Sequence, residues 1–223
     1  ESVVAALAED HGLVLKTIRL NAADGTLDME HYASLLGPRT KIVATGMSSN
    51  ALGTINPSKR IVEAAHAVGA LTVLDAVCSA PHYPVDVQAL DTDFLLCSPY
   101  KFFGPHMGMA FGRDGLLRSW EPYKVRPAAD EPVGHRFELG TCQHELLAGF
   151  VAAVDYVDSI GWEAMLAHER GLGQRFLDGL AEGVDLYGLP TMEGRVPTFC
   201  FNVPGRSSEE VATHLADNHD VAV

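Results

Sequence analysis

The sequence predicts an α/β protein built on a mostly parallel sheet, followed by the start of a smaller α+β unit. Three observations carry this prediction. Short apolar runs at 40–46, 71–75 and 93–97, the first rich in β-branched residues, alternate with helical patterns. These runs are apolar throughout rather than alternating, as strands covered on both faces are. Polar and ionisable residues then follow the runs, Asn50 after the first, Asp75 closing the second, Ser98 and Lys101 after the third. In open α/β sheets that edge, beyond the carboxyl ends of the strands, is where ligands bind.

The elements follow in order. Residues 1–11 read as the end of a helix, with Val3, Val4, Leu7 and Ala8 at helical spacing, and 13–19 as a strand. A helix over 27–36 is entered through Asp24-Gly25. After the strand at 40–46, Asn56-Pro57-Ser58 offers a cap for a helix over 58–68 that ends at Gly69. The strand at 71–75, a short helix at 85–90, the strand at 93–97 and a Gly-containing strand at 107–112 complete the first part. Past Gly134 the character changes. Helices are predicted at 145–160 and 162–182, a strand at 198–203, and a helix at 207–218 opened by a Ser-Ser-Glu-Glu cap. The expected division is a partial large domain over 1–145, then a linker helix and the opening of a small domain over 146–223. Both ends fall inside such patterns, so the chain reads as an internal piece of a longer protein.

Bulk properties exclude several classes. Sixteen basic against twenty-nine acidic residues give a net charge of −13, which disfavours a nucleic acid or an anionic membrane as partner. No run of 18 apolar residues suggests a membrane span. The four cysteines, Cys78, Cys97, Cys142 and Cys200, are widely spaced without a CxxC pair. That pattern supports neither a metal site nor a disulfide framework and fits a reducing cytoplasm. His82, His106, His135 and His144 share no metal-ligand spacing.

The chemistry lies in one combination. Lys101 sits in Ser98-Pro-Tyr-Lys-Phe-Phe-Gly-Pro-His106, unlike a lysine on a solvated helix face, and Asp75 ends the apolar run before it. A lysine and an aspartate on neighbouring strand ends are what pyridoxal phosphate requires. The lysine can form a Schiff base with the aldehyde, and the aspartate can keep the pyridine nitrogen protonated. An aspartate there could instead cap a helix or pair with Arg113. Ser98, assisted by Tyr100, is placed to hold a phosphate, with simple turn chemistry as the bland alternative. Gly140-Thr141, before the helix at 145, offers a second anion site or an ordinary N-cap. Asn50 could donate to the phenolic oxygen of the ring, or merely shape its loop.

These stretches, with Ser49-Asn-Ala-Leu-Gly-Thr-Ile-Asn-Pro57, Leu74-Asp-Ala-Val-Cys-Ser-Ala-Pro-His82, Pro84-Val-Asp-Val-Gln-Ala-Leu90 and Phe137-Glu-Leu-Gly-Thr141, resemble the class V aminotransferase family of fold-type I pyridoxal-phosphate enzymes. The cysteine desulfurase and selenocysteine lyase branch is the nearest group. The resemblance implies a seven-stranded-type sheet, present here in part. It implies a homodimer with a shared active site, a small amino-acid substrate and, for a desulfurase, a sulfur acceptor. It makes Lys101 the Schiff-base lysine and proton shuttle, with Asp75 on the pyridine nitrogen and Asn50 on the ring oxygen or substrate. Ser98 would bind phosphate, and Gly140-Thr141 would do so from the other subunit. Two positions depart from the family: Cys78 stands where Gln or His is common, and Tyr100 where His is common. The family's carboxylate-binding arginine and persulfide-forming cysteine lie beyond the position matching Val223, so this piece alone is expected to be inactive. An aminotransferase, an epimerase or a non-catalytic binder of the cofactor are the alternatives. A nucleotide-binding α/β module lacks support, since no GxGxxG or Walker loop is present.

Overall fold

The structure is a computed structural model and describes residues 2–125, 129–138 and 140–223. It begins with helix α1 (Ser2–Asp10), and helix α2 (Met29–Leu35) follows. Asp28, rather than Asp24-Gly25, opens α2 by accepting from the His31 amide. Asp24 instead closes a tight turn on Thr26, whose backbone and hydroxyl both donate to it. The strand expected at 13–19 does not form. Among the described residues only its end is paired, by the Asp28 amide on the Arg19 carbonyl and a single bridge from Leu20 to Leu27. Leu13, Val14 and Leu15 stay exposed. Strand propensity without a partner strand is not enough to build a ladder.

The central sheet contains β1 (Ile42–Gly46), β2 (Leu71–Asp75), β3 (Phe94–Cys97) and β4 (Met109–Gly112), in that order. The first three strands run parallel and β4 returns antiparallel to β3. Helix α3 (Ser58–Ala67) buries Ile61, Val62 and Ala65 against one face of the sheet. There they meet Val43, Leu74 and Leu95, the inward residues of β1 to β3. The Asn56 side chain does not cap α3. It donates to the Gly46 carbonyl at 2.8 Å and ties the loop to the end of β1. Helix α4 (Val87–Leu90) is opened by Asp86, which accepts from the amides of Gln88 and Ala89. The opposite face of the sheet is open, with Ile42 58% and Leu96 41% exposed, and Trp120 stacks on Phe94 at one corner.

At the amino end of the strands, Asp93 is buried and holds the first part together. It accepts from His66 Nε2 at 2.9 Å, the Thr72 amide at 2.8 Å and the Thr72 hydroxyl at 3.1 Å. Arg113 Nε lies 3.2 Å away. Burial pushes its carboxyl up, and the bonds from His66 and Thr72 more than reverse this, holding it below the ordinary value.

Helix α5 (Asp114–Ser119), not expected from the sequence, precedes α6 (His144–Ile160) and α7 (Trp162–Asp178). A two-stranded antiparallel sheet of β5 (Asp185–Tyr187) and β6 (Cys200–Asn202) follows, then α8 (Ser208–His219). β5 was also not expected. Phe176 of α7 stacks on Phe199 at 4.2 Å between ring centres, which seats α7 against this sheet. Ser207 and Glu210 form the capping box of α8, as the Ser-Ser-Glu-Glu run predicts.

Replacing Asp93 with Asn removes the buried anion from His66 and Arg113, which keep the more exposed Asp91, and should cost about 3 kcal/mol. Because the folded carboxyl is depressed, its contribution is present above the unfolded value near about 3.9. It disappears as pH falls through the lower folded value. Denaturant midpoints recorded from pH 7 down to pH 3 should therefore fall more steeply for the native protein than for the Asp93→Asn variant.

Candidate active site

Parallel pairing aligns the ends of three strands. Gly46 is opposite Asp75, and Asp75 is opposite Leu96. The loops that leave these ends are then locked to one another. The Met47 amide donates to the Asp75 carbonyl and the Ala76 amide to the Leu96 carbonyl, both at 2.8 Å. Buried Ser48 donates to the Cys78 carbonyl and shares a hydrogen bond with Ser79, each at 2.8 Å.

Asp75 is exposed on the open face of the sheet. One carboxylate oxygen accepts from the Val77 amide at 2.9 Å, and the other has no partner among the described residues. Arg113 pairs with Asp91 and Asp93 instead, so the ion pair that could have explained Asp75 is not formed. The carboxylate is fixed by its own turn and free to take one more donor. Behind it, burial pushes the Cys97 thiol up and the Asp75 charge adds to the effect, so Cys97 stays a buried, protonated side chain.

Lys101 stands on a 3₁₀ turn, Pro99–Phe102, with Pro99 at its first position. The turn closes when Phe103 adopts a left-handed conformation, φ 66°, and the Gly104 amide donates to the Pro99 carbonyl at 2.9 Å. A Cβ on Gly104 would stand 2.7 Å from the Pro99 Cβ and 2.9 Å from its carbonyl oxygen, so glycine is needed there. Helix α6 backs the turn, with Phe150 edge-on to Phe102 and Tyr156 edge-on to Phe103. The Lys101 ammonium has no ion pair among the described residues and lies 5.3 Å from the Tyr100 ring centre. Tyr100 in turn stacks on His106 at 5.0 Å. His106 thus belongs to the lysine turn, a role its position in the sequence did not signal.

The Ser98 hydroxyl caps nothing and has no partner among the described residues. Asn50 is exposed in a tight loop in which Ser49 Oγ accepts from the Leu52 amide at 3.0 Å. Cys78 is a half-exposed free thiol beside Asp75. Gly140 has a φ of +86°, and Thr141 is exposed and makes no hydrogen bond to Lys101, Asp75 or Ser98. Helix α6 starts at His144 with Gln143 as its uncapping neighbour, so Thr141 is not its N-cap. Leu139 of the same motif lies outside the described residues. Nearby, His135, Glu138 and Cys142 bring three potential donor atoms within 4.8 Å of one another on an exposed loop, apart from the group at the strand ends. A cavity of about 590 Å³ lies elsewhere, between His82, Glu169 and Arg195, and none of the candidate residues lines it.

The residues present fit pyridoxal phosphate. Lys101 and Asp75 are exposed and Ser98 is half-buried at one edge of the sheet. A lysine, a carboxylate with one oxygen open to solvent and a hydroxyl are there the donor and acceptor types that the aldehyde, the pyridine nitrogen and the phosphate call for.

Fold and site together define an α/β protein with an unsatisfied lysine–aspartate group at the carboxyl edge of parallel strands. The chain belongs to the aminotransferase class-V family, whose profile matches residues 2–223. It is 35% identical over 97% of its length to a cysteine desulfurase of Pectobacterium atrosepticum, covering 56% of that protein. It is 36% identical over 94% of its length to a cysteine desulfurase of Haloferax volcanii, covering 52% of it. The apo structure of a cysteine desulfurase from Thermococcus onnurineus superposes with a TM-score of 0.88 at 30% identity, over 98% of this chain and 57% of that one. The chain spans about half the length of the curated relatives it matches. Class V aminotransferases and cysteine desulfurases are pyridoxal-phosphate-dependent.

Gly104→Ala should destabilise the lysine turn by about 1–3 kcal/mol through overpacking. Gly108→Ala, where a Cβ meets nothing within 4 Å, serves as the control and should stay within about 0.5 kcal/mol of the parent in thermal unfolding.

Proposed function

We propose that this chain carries the cofactor-binding half-site of a pyridoxal-phosphate enzyme that acts on an amino acid, with cysteine desulfuration as its activity. The observation that carries the reading is the pairing of Asp75 with Leu96, which sets the aspartate beside the strand that leads into Lys101. The names of the relatives, at about a third identity over nearly the whole chain, support the choice of cysteine among amino acids.

Pyridoxal phosphate bound at this edge supplies an electron sink for negative charge at the substrate α-carbon. Asp75 holds a proton at the pyridine nitrogen with its free oxygen. Lys101 would hold the cofactor through Nζ. Once the substrate amine has displaced it and left Nζ a free amine, Lys101 would take the proton from the α-carbon and return it. Ser98 and the backbone amides of its turn bind the phosphate, with Tyr100 alongside and Cys78 flanking the ring. Asn50 donates to the ring oxygen. Thr141, with Gly140, reaches the phosphate of the partner subunit in a homodimer, which accords with its lack of contact to this chain's own group. No described helix is long and apolar enough to cross a membrane, and all four cysteines are free. Free thiols accord with a cytoplasmic protein passing sulfur to an acceptor.

The full-length protein should bind pyridoxal phosphate with a visible band and convert L-cysteine to alanine, one alanine for each sulfur transferred. Lys101→Ala should lose the band and at least about 10²-fold in turnover. An unchanged band in that variant would overturn the lysine assignment. Amino transfer to a 2-oxo acid, or inversion at the α-carbon, without alanine release from cysteine would overturn the desulfurase reading. Binding without any product would mark a non-catalytic protein.

A further inference from the structure

Arg195 is the most unusual charge outside the strand-end group. Its side chain is buried, the residue being 4% exposed, and no carboxylate pairs with it among the described residues. Nη1 donates to the Leu189 carbonyl, and Nη2 donates to the carbonyls of Leu52 at 2.7 Å and Thr198 at 3.0 Å. The guanidinium carbon lies 4.7 Å from the Phe199 ring centre. Buried charge without a counter-ion is retained at a cost to stability, so its contacts ask for a reason.

Those contacts lead to the loop that carries Asn50. Arg195 reaches Leu52 across 143 residues of sequence. The same segment adds backbone bonds at 2.8 Å, from the Val196 amide to the Gly53 carbonyl and from the Ile55 amide to the Gly194 carbonyl. Gly53 has a φ of +74°, and a Cβ there would stand 2.3 Å from the Thr198 carbonyl oxygen, so the two segments touch backbone to backbone. On its other side the loop is tied by Ser48 to Cys78 and Ser79, beside Asp75. Asn50 itself, at the tip, has no hydrogen bond among the described residues. Its position is set entirely by what grips the loop on either side.

We infer that Arg195 is a positioning residue, whose fork of donors holds the 49–54 loop so that the Asn50 amide meets the ring oxygen of the cofactor. This rests on the reading of Asn50 given above. It links the part of the chain that carries β5 and β6 to the electronics of the site, through a residue that touches neither substrate nor cofactor.

The test uses the full-length protein loaded with pyridoxal phosphate and reads the pH midpoint of its visible band. Losing a donor to the ring oxygen changes how tightly the neighbouring nitrogen holds its proton, so Asn50→Ala should move that midpoint. Arg195→Lys keeps the charge but not the planar fork. It should move the midpoint in the same direction by about half a unit, roughly threefold in the proton constant. The double variant should move it no further than Asn50→Ala alone. Without cofactor, amide exchange over 51–55 should quicken in Arg195→Lys. If that variant does not fold, Arg195→Gln, which can still donate to one carbonyl, is read in the same way. A midpoint unmoved by either Arg195 variant while Asn50→Ala shifts it, or a double variant showing the full sum, overturns the inference and leaves the cofactor site standing. A parent protein with no visible band overturns both.

Discussion

The alignment of three parallel strand ends is the constraint on which the rest depends. Backbone hydrogen bonds alone bring Gly46, Asp75 and Leu96 level, and from that line the three loops depart. Side chains then fix the loops: Ser48 to Cys78, Asn56 to Gly46, and the Pro99 turn closed by Gly104. A slip of one residue between β2 and β3 would reverse the pleat, sending Leu74 to the open face and Asp75 into the core. The fully buried Leu74 therefore guards the position of the aspartate next to it.

The two ends of the sheet are treated in opposite ways. At the amino end, one oxygen of buried Asp93 accepts from His66 and from the Thr72 amide and hydroxyl, and the other is ion-paired with Arg113. At the carboxyl end, among the described residues, Lys101 has no counter-ion, the Ser98 hydroxyl no partner, and Asp75 one oxygen unclaimed. Buried polar groups in a fold find partners, as Asp93 does, whereas Asp75 and Lys101 are exposed and open to a ligand. The same contrast separates the cysteines and charges of the core from those of the site. Cys97 is kept protonated by burial and by Asp75, whereas buried Arg195 spends its donors on the carbonyls of Leu189, Leu52 and Thr198.

Much of the first part was legible in the sequence. The run Leu-Thr-Val-Leu-Asp announces β2 to the residue, and the elements around 42–46, 94–97 and 109–112 follow from short apolar runs bounded by polar residues or glycine. The Ser207 capping box is equally local and equally readable. Where propensity and partner disagree, the sequence misleads: Leu13 to Arg19 looks like a strand but no described strand runs beside it. Asn56 looks like a cap yet serves the end of β1, because the Gly46 carbonyl lies within its reach. The placement of Asp75, Ser98 and Lys101 at the strand ends was legible because each closes or follows a short apolar run. The stack of His106 on Tyr100 and the hold of Arg195 on Leu52 were not. Such contacts depend on turn geometry or on a separation of 143 residues, and neither leaves a periodic trace.

The account turns on Lys101 being the residue that holds the cofactor. Borohydride reduction of the loaded full-length protein makes that linkage permanent, and proteolysis followed by mass spectrometry then locates it. The account predicts the pyridoxyl group on the peptide containing Lys101 and on no other. Its recovery on a different lysine, or on none, would contradict the account at its centre.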